Sequence, residues 1–450
     1  MQKLARAHFK AYPSKTLLAL SLAAVGVYAH AENVPLSLTI SETLSRDSNL
    51  FRVEPGQYSI ADTVSSTGLK LGLDKSYGRQ RYTANIGGYV NRYFDDKQLD
   101  NSSYSLDLGL ISEFADKGIV QITGSASQNL ARFDVANQNS VNNIKNMQSN
   151  SQISGQLSYG GYGALNPYVS ANHFQQGFTE TSSNYQASNQ DTYGLGINYS
   201  LVPQLSIGLG ARITRGDISY DDGSGGKVVD RLRRRDIDLS SNWVATGLST
   251  LYARISATHE KDIYDPNTNL QLSDAKTHGL TGEIDWNYTP QGLLSYSISF
   301  IRDKGNVGRN YDLSNTLIAP GASSQTYKDA DSTYKQISEN NRLTNTLNAK
   351  VTLDLSYKFK LNASAAYSKY HLDQAQNTDN SLFGTSTSTA SPSEHSRYTV
   401  YSIGGQYQYA RWINLYCDIK RFKRTRDAEY TPFNSTVTAC TGQFTLNGMN

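Results

Sequence analysis

Residues 192–214 read TYGLGINYSLVPQLSIGLGARIT, and the spacing of their apolar residues decides the fold. In each half of this stretch, large apolar residues alternate with glycine or polar residues, and the break between the halves is Val202-Pro203-Gln204. Successive side chains of a β-strand point to opposite faces, so each half has one apolar face and one small or polar face. Because the connection is so short, the stretch predicts an antiparallel hairpin.

The same alternation continues along the rest of the chain. Eight such hairpins, separated by longer polar segments, lie between a first strand from about Val34 to Leu44 and a last strand from about Val437 to Leu446. Alternating segments of about 10 residues, many tyrosines and few charges are typical of outer-membrane barrels. The sequence therefore predicts an all-β fold: a closed antiparallel transmembrane β-barrel of about 18 strands (16–18), with both termini on the periplasmic side.

The first 31 residues have the order of a secretion signal. Four basic residues from Lys3 to Lys15 precede an apolar segment, residues 16–27, and Ala29-His30-Ala31 matches an A-x-A cleavage site. The apolar segment is shorter than the ~20 residues of a spanning helix. We therefore expect residues 1–31 to be a signal peptide and residues 32–450 to form one barrel in the outer membrane of a Gram-negative bacterium.

Charge and motifs exclude several classes of function. Without the signal, 38 Lys and Arg residues stand against 39 Asp and Glu residues, and there is no long basic run, so nucleic acid is not an expected partner. The sequence has no nucleophile elbow, P-loop, dinucleotide fingerprint or zinc-protease helix. We expect no enzymatic activity, no cofactor and no metal, because the spacing of the five histidines after the signal matches no ligand motif: His173, His259, His278, His371 and His395.

Two asymmetries predict the orientation of the barrel. Tight turns alternate with long polar segments, the longest being 302–341 and 371–396, and barrels keep short turns in the periplasm and long loops outside. The tryptophans Trp243, Trp286 and Trp412 all lie at the tight-turn ends, as a periplasmic aromatic girdle requires.

The face opposite the apolar one is expected to line the lumen. The charged pore-lining candidates are Arg212, Arg234, Asp236, Asp238, Arg254, Glu283, Asp285, Lys350, Asp354, Asp418 and Lys420. Their mixed signs favour a hydrated channel for a polar, neutral solute. The alternative is that the charges pair across the lumen and fill it.

Tyrosines of the same parity are candidates for stacking on sugar rings: Tyr89, Tyr93, Tyr252, Tyr370 and Tyr416. The alternative is that they reflect the abundance of tyrosine, with 31 in the chain.

The densest basic cluster comprises Arg231, Arg233, Arg234 and Arg235, at the outer end of a predicted strand. It is a candidate for binding lipopolysaccharide phosphate or an anionic polymer, the alternative being a solvated rim. Outer-membrane lipids and lipopolysaccharide are thus expected partners, together with a polysaccharide or another polar solute.

The only two cysteines, Cys417 and Cys440, lie on the last two predicted strands and on their apolar faces. Folding that hairpin brings the two positions within about two residues of being opposite each other. A disulfide would close a loop of about 23 residues, for which the chain-entropy estimate is roughly 3 kcal/mol. The alternative is two unpaired thiols in the membrane face.

The segment from Leu38 to Val53, LTISETLSRDSNLFRV, resembles the opening of the EpsL-type outer-membrane proteins, which are encoded with exopolysaccharide systems. The resembling positions include Asp47, Asn49, Leu50 and Phe51. The resemblance implies a β-barrel pore that takes part in exopolysaccharide export with periplasmic components of an export system. It supplies no catalytic residues.

Three functions follow in order of preference. An exopolysaccharide export pore comes first and a general or sugar-selective diffusion porin for uptake second. An outer-membrane barrel enzyme is a distant third.

Overall fold

A computed structural model describes residues 36–447, except 116, 134–143, 161–164, 181–186, 222–226, 265–274, 291–292, 305–341, 373–394 and 426–431. The predicted signal peptide lies outside these residues and stays a prediction.

The described chain is built of eighteen β-strands and one 3₁₀ turn, Lys97–Leu99. The strands are β1 (Leu36–Asp47), β2 (Asp62–Tyr77), β3 (Gln80–Tyr93), β4 (Asn101–Phe114), β5 (Gly118–Leu130), β6 (Met147–Tyr159), β7 (Leu165–Phe178), β8 (Ser188–Val202), β9 (Leu205–Asp221), β10 (Lys227–Val244), β11 (Ser249–Tyr264), β12 (Ala275–Tyr288), β13 (Leu294–Lys304), β14 (Arg342–Asp354), β15 (Phe359–Leu372), β16 (His395–Ala410), β17 (Ile413–Arg424) and β18 (Phe433–Asn447).

Each strand pairs antiparallel with its neighbours in sequence, and β1 pairs with both β2 and β18. The β1–β18 register runs from Ser37 opposite Asn447 to Asp47 opposite Val437. On the inner side of this seam, Thr39 bonds Thr445 at 3.0 Å and Thr43 bonds Thr441 at 2.8 Å, measured between hydroxyl oxygens. The sheet is therefore closed, which confirms the predicted barrel and its strand number. The side on which the termini lie stays a prediction.

Alternation gives the wall two different faces. Along β10, the apolar residues Ile237 and Leu239 are 63% and 55% exposed, whereas Asp236 and Asp238 between them are 2% and 5% exposed. Apolar side chains thus point outward, to lipid, and polar side chains inward. A closed barrel with an apolar outer band is the form in which β-proteins cross the outer membrane of Gram-negative bacteria, so the predicted localisation is confirmed.

No helix in the described ranges is long and apolar enough to cross a membrane.

Aromatic side chains lie on the outer face at the tight-turn end. Trp243, Trp286 and Trp412 are 39–46% exposed. The Trp286 ring meets Tyr296 edge-on at 5.0 Å between centroids, and Trp412 meets Phe444 at 5.8 Å. Such a girdle is expected at a membrane–water interface.

The last hairpin carries the two cysteines. Cys417 on β17 is directly opposite Cys440 on β18, and the structure joins their sulfur atoms in a disulfide. Both residues lie on the exposed, lipid-facing side. The positions are closer than the sequence pattern predicted, because the register places them in one cross-strand pair.

We predict that denatured, unreduced protein contains no free thiols and that reduction releases two per chain, because the bridge joins both cysteines. The measurement is thiol titration in denaturant with and without reductant. A Cys440→Ser variant is the matched control and is expected to give one thiol in both samples. Two thiols in the unreduced wild-type protein would contradict the bridge.

Candidate functional site

The eleven charged residues predicted to line the pore all lie on the inward face of their strands, alternating with the exposed apolar residues of the outer face. They are concentrated on the wall formed by β9–β12, with further members on β14 and β17. Most of this inner wall is otherwise hydroxyl and amide, including cross-strand pairs such as Thr192 with Thr214 at 3.0 Å. The lumen is therefore lined by polar groups, as a hydrated channel requires.

The charges of the central wall pair sideways, along the wall. Arg212 on β9 donates to Asp238 on β10 at 2.5 Å, and Arg254 on β11 donates to Glu283 on β12 at 3.1 Å. Arg254 also approaches Asp238 at 3.9 Å. These residues face one another between adjacent strands, which is the usual geometry of cross-strand charge pairs. These pairs run along the wall, and pairing of charges across the lumen stays an alternative for the other candidates.

Arg234 is the centre of a buried network nearer the long-loop end. Its side chain is 0% exposed and lies 3.0 Å from Asp236 and 2.9 Å from Asp303. Asp303 is on β13, three strands away, and the guanidinium also reaches the hydroxyls of Thr258 and Thr281. The sequence analysis placed Asp303 in the predicted loop 302–341, whereas β13 continues to Lys304 and its partner Arg234 lies 69 residues earlier in the chain.

The other candidates are more dispersed. Lys420 lies 3.2 Å from Asp418 on its own strand, and Asp354 lies 3.1 Å from Lys360 on β15. Asp285 and Lys350 face inward on β12 and β14. Most of these charged side chains lie beside a side chain of opposite charge. The described wall therefore does not present a strong net charge of one sign to the lumen.

Three inward tyrosines lie against glycines of nearby strands. A Cβ added to Gly68 would come within 2.6 Å of the Tyr89 ring, and one added to Gly404 within 3.0 Å of the Tyr416 hydroxyl. A Cβ added to Gly196 on β8 or to Gly210 on β9 would come within 2.6 or 2.7 Å of the Tyr168 hydroxyl. The sequence pattern missed Tyr168, although the glycines opposite it are a detectable signal.

The remaining tyrosine candidates differ in their surroundings. Tyr252 faces inward and is partly buried beside the Arg254–Glu283 pair. Tyr93 packs against a hydrophobic cluster at the mouth, so its ring is occupied by protein. The side chain of Tyr370 lies outside the described residues. The structure therefore does not bring the five together in one continuous track.

The long-loop mouth is narrowed by an inward-folded structure, which we call the mouth cap: residues 48–61, the 3₁₀ turn 97–99 and residues 130–133. Leu50, Phe51 and Leu99 are 0–8% exposed and form its core. Phe133 meets Phe51 edge-on at 4.8 Å between ring centroids. These segments follow β1, β3 and β5. The cap is therefore formed by three connections on one side of the barrel.

Arginine–aromatic contacts join the cap to β16 and β18. Arg132 donates a hydrogen bond to the Tyr398 hydroxyl on β16, and its guanidinium carbon lies 5.5 Å from that ring's centroid. Around the barrel, six strands separate β5 from β16, so this contact crosses the opening. Arg52, paired with Asp47 at 2.7 Å, lies 5.5 Å from the centroid of Phe433. Such cation–π contacts contribute about 0.5–2 kcal/mol each.

A carboxylate anchors the turn beneath the cap. Asp62 is 1% exposed and accepts hydrogen bonds from the backbone N–H groups of Asp95 and Asp96, at 3.1 and 3.0 Å. Burial raises the pKa of the Asp96 carboxyl, and the Asp62 and Asp95 carboxylates raise it further. Because the folded-state pKa is raised, this turn loses stability as the pH rises through the folded-state pKa of Asp96.

The described histidines form pairs near the strand ends. His173 lies 2.8 Å from Asp191, and His259 and His278 stack with their Nδ1 atoms 2.8 Å apart. Within the described ranges, no group of three or more His, Cys, Asp or Glu side chains could hold a metal ion.

No family model and no curated protein match this sequence. Among solved structures, the chain is similar to OccK5 (OpdH) of Pseudomonas aeruginosa, with 10% identity, coverage of 91% of this chain and 98% of that one, and a TM-score of 0.44. It is also similar to the outer-membrane protein OpdK of the same organism, with 11% identity, 91% and 99% coverage and a TM-score of 0.44. A third similar structure is OccK2 (OpdF) of P. aeruginosa in complex with glucuronate, with 11% identity, 92% and 98% coverage and a TM-score of 0.42.

We predict that Arg132→Ala loosens the mouth cap, because it removes both the hydrogen bond to Tyr398 and the stacked cation. The expected result is a larger single-channel conductance with more open-channel noise, measured in planar bilayers. Tyr398→Phe, which keeps the ring, is expected to have a smaller effect in the same direction. Unchanged conductance and noise in Arg132→Ala would show that the contact does not restrict the mouth.

Proposed function

We propose that this chain is a diffusion porin of the outer membrane, through which small polar solutes, including sugars, pass into the periplasm. The observation that carries the proposal is the inner wall of a closed eighteen-stranded barrel, which is mostly polar and has its charges in neighbouring pairs. Barrels of 16–18 strands are wide enough to leave an aqueous channel. With the long loops placed outside, as barrels keep them, the mouth cap lies at the extracellular entrance.

Compensated charges favour polar solutes without a strong net charge. Arg212 with Asp238 and Arg254 with Glu283 offer donors and acceptors side by side, which suits hydroxyl-rich molecules. Tyr89, Tyr168 and Tyr416 lie against glycines of the inner wall, and their rings are candidates for contact with a passing sugar. We therefore propose, more specifically, that the porin is selective for sugars.

Exopolysaccharide export is the weaker candidate. It is supported by the resemblance of residues 38–53 to the EpsL-type proteins. In the structure the resembling residues Asn49, Leu50 and Phe51 belong to the mouth cap, where Asn49 donates to the backbone carbonyls of Val53 and Asn434. A narrowed mouth suits small solutes better than a polymer. Export would also require periplasmic partners, for which the described surface offers no specific support.

We expect liposomes containing the purified protein to swell in isotonic monosaccharide, and more slowly in disaccharide and trisaccharide, because the mouth cap restricts the opening. Protein-free liposomes are the control. Replacement of Tyr89, Tyr168 and Tyr416 by Leu keeps the glycines covered and removes the aromatic faces, so sugar flux is expected to fall relative to chloride flux. Absence of swelling in every sugar would contradict the porin.

Deletion of the gene separates uptake from export. Uptake predicts slower growth on a limiting polar carbon source with normal surface polymer. Export predicts polymer trapped in the periplasm with normal growth on that source.

We further predict that ion selectivity depends on the Arg254–Glu283 pair, whose side chains are 14% and 18% exposed. Arg254→Gln leaves Glu283 uncompensated and is expected to shift the cation-to-anion permeability ratio toward cations by roughly twofold. Glu283→Gln is expected to shift it toward anions, and the double variant to return near the wild-type ratio. Reversal potentials in a KCl gradient measure all three. Equal ratios in both single variants would show that these groups do not face the conducting path.

A further inference from the structure

The arginine run 231–235 is divided by strand alternation. Arg234 points into the lumen and is buried, whereas Arg231, Arg233 and Arg235 are exposed on the outer face of β10. The basic cluster suggested by the sequence is therefore two structures: an internal network centred on one arginine, and an external surface formed by the other three.

The register extends the external surface across three adjacent strands. Arg233 lies directly opposite Arg215 on β9 and Lys261 on β11, which gives one row of basic residues. In the row below it, Arg235 is opposite His259, which is opposite His278 on β12. We call these residues the basic outer surface. Two outward acids border this surface. Asp217 is opposite Arg231, one row above. Asp191 on β8 is opposite Arg215 and lies 2.8 Å from His173.

Like charges directly opposite one another on a sheet are destabilising. Arg215, Arg233 and Lys261 occupy three successive positions of one row, about 4.8 Å apart from strand to strand. A row of this kind is stabilised by an anion that several of its members contact at once. Phosphate suits it, because guanidinium groups bind phosphate oxygens with two parallel hydrogen bonds.

The height of the row identifies where such an anion would come from. Arg233 lies ten residues from Trp243 of the tight-turn girdle, about 33 Å along the strand and about 25 Å along the membrane normal for a tilt near 40°. This equals the height of the apolar band of an outer-membrane barrel, about 25 Å. The row therefore lies at the headgroups of the outer leaflet.

Exposed apolar residues lie immediately below the basic outer surface. Ile237 and Leu280, one row below Arg235, are 63% and 62% exposed, and Ile213, which is opposite Arg235, is 47% exposed. A ligand with phosphate above and acyl chains below would contact both parts of this wall. Free phosphate would use only the upper part.

We propose that the basic outer surface is a binding site for a phosphorylated glycolipid of the outer leaflet, with its phosphate on Arg215, Arg233 and Lys261 and its acyl chains on the apolar wall beneath. The site lies on the outside of the barrel and goes beyond the proposed transport function.

The test uses full-length protein in dodecyl maltoside and diphosphoryl lipid A as the probe. We expect saturable binding in native mass spectrometry, weakened about 100-fold in the triple variant Arg215→Gln, Arg233→Gln, Lys261→Gln, since each basic residue near an anionic surface contributes about fivefold. The matched control removes three bases at the tight-turn end: Lys75→Gln, Lys117→Gln, Arg411→Gln. It is expected to bind like the wild type, and both variants are expected to retain single-channel conductance, which shows that they fold.

Three comparisons complete the design. Three other probes are each expected to bind at least tenfold more weakly than diphosphoryl lipid A: dephosphorylated lipid A, inorganic phosphate and phosphatidylglycerol. If phosphatidylglycerol bound as tightly as diphosphoryl lipid A, the surface would attract anionic lipids in general and the proposal would be overturned. So would a conducting triple variant that binds diphosphoryl lipid A within twofold of the wild type.

Discussion

Closure of the sheet between β1 and β18 is the constraint on which the rest of the structure depends. In the hydrocarbon of a membrane no water can bond to an unpaired backbone N–H or C=O group, so a sheet crosses it only without edges. Here β1 bonds to both of its neighbours, and inward hydroxyls and the Cys417–Cys440 hairpin lie beside the seam. Once the ring is closed, every residue has a defined face.

The same alternation of side chains gives the two faces of the wall different environments. On the outer face, apolar residues meet lipid and basic residues of β9–β11 form one row across three strands. On the inner face, burying a charge is costly unless it is paired, and Arg234 meets this requirement by contacting Asp236 and Asp303. The adjacent arginines 233 and 234 thus have unrelated roles although they are neighbours in sequence.

The mouth cap contains the molecule's largest described apolar cluster, and it lies at the end of the barrel, since the wall itself is one layer thick. Leu50, Phe51 and Leu99 exclude water there, while Arg52 and Arg132 attach the cap to aromatic rings of β16 and β18. The same contacts that stabilise the cap restrict the opening. In the proposed porin, a small number of side chains would therefore couple transport to the folding of the mouth.

The sequence by itself determined the strand number, the lumen parity of the charged residues and the distinction between tight turns and long loops. Each of these depends on local alternation, which is a property of neighbouring residues. It did not determine that Asp303 pairs with Arg234, that Arg132 reaches Tyr398, that Tyr93 packs into the cap, or that residues 49–51 fold inward. Only the tertiary structure decided these contacts, because they depend on strand register and on connections that meet from opposite sides of a closed ring.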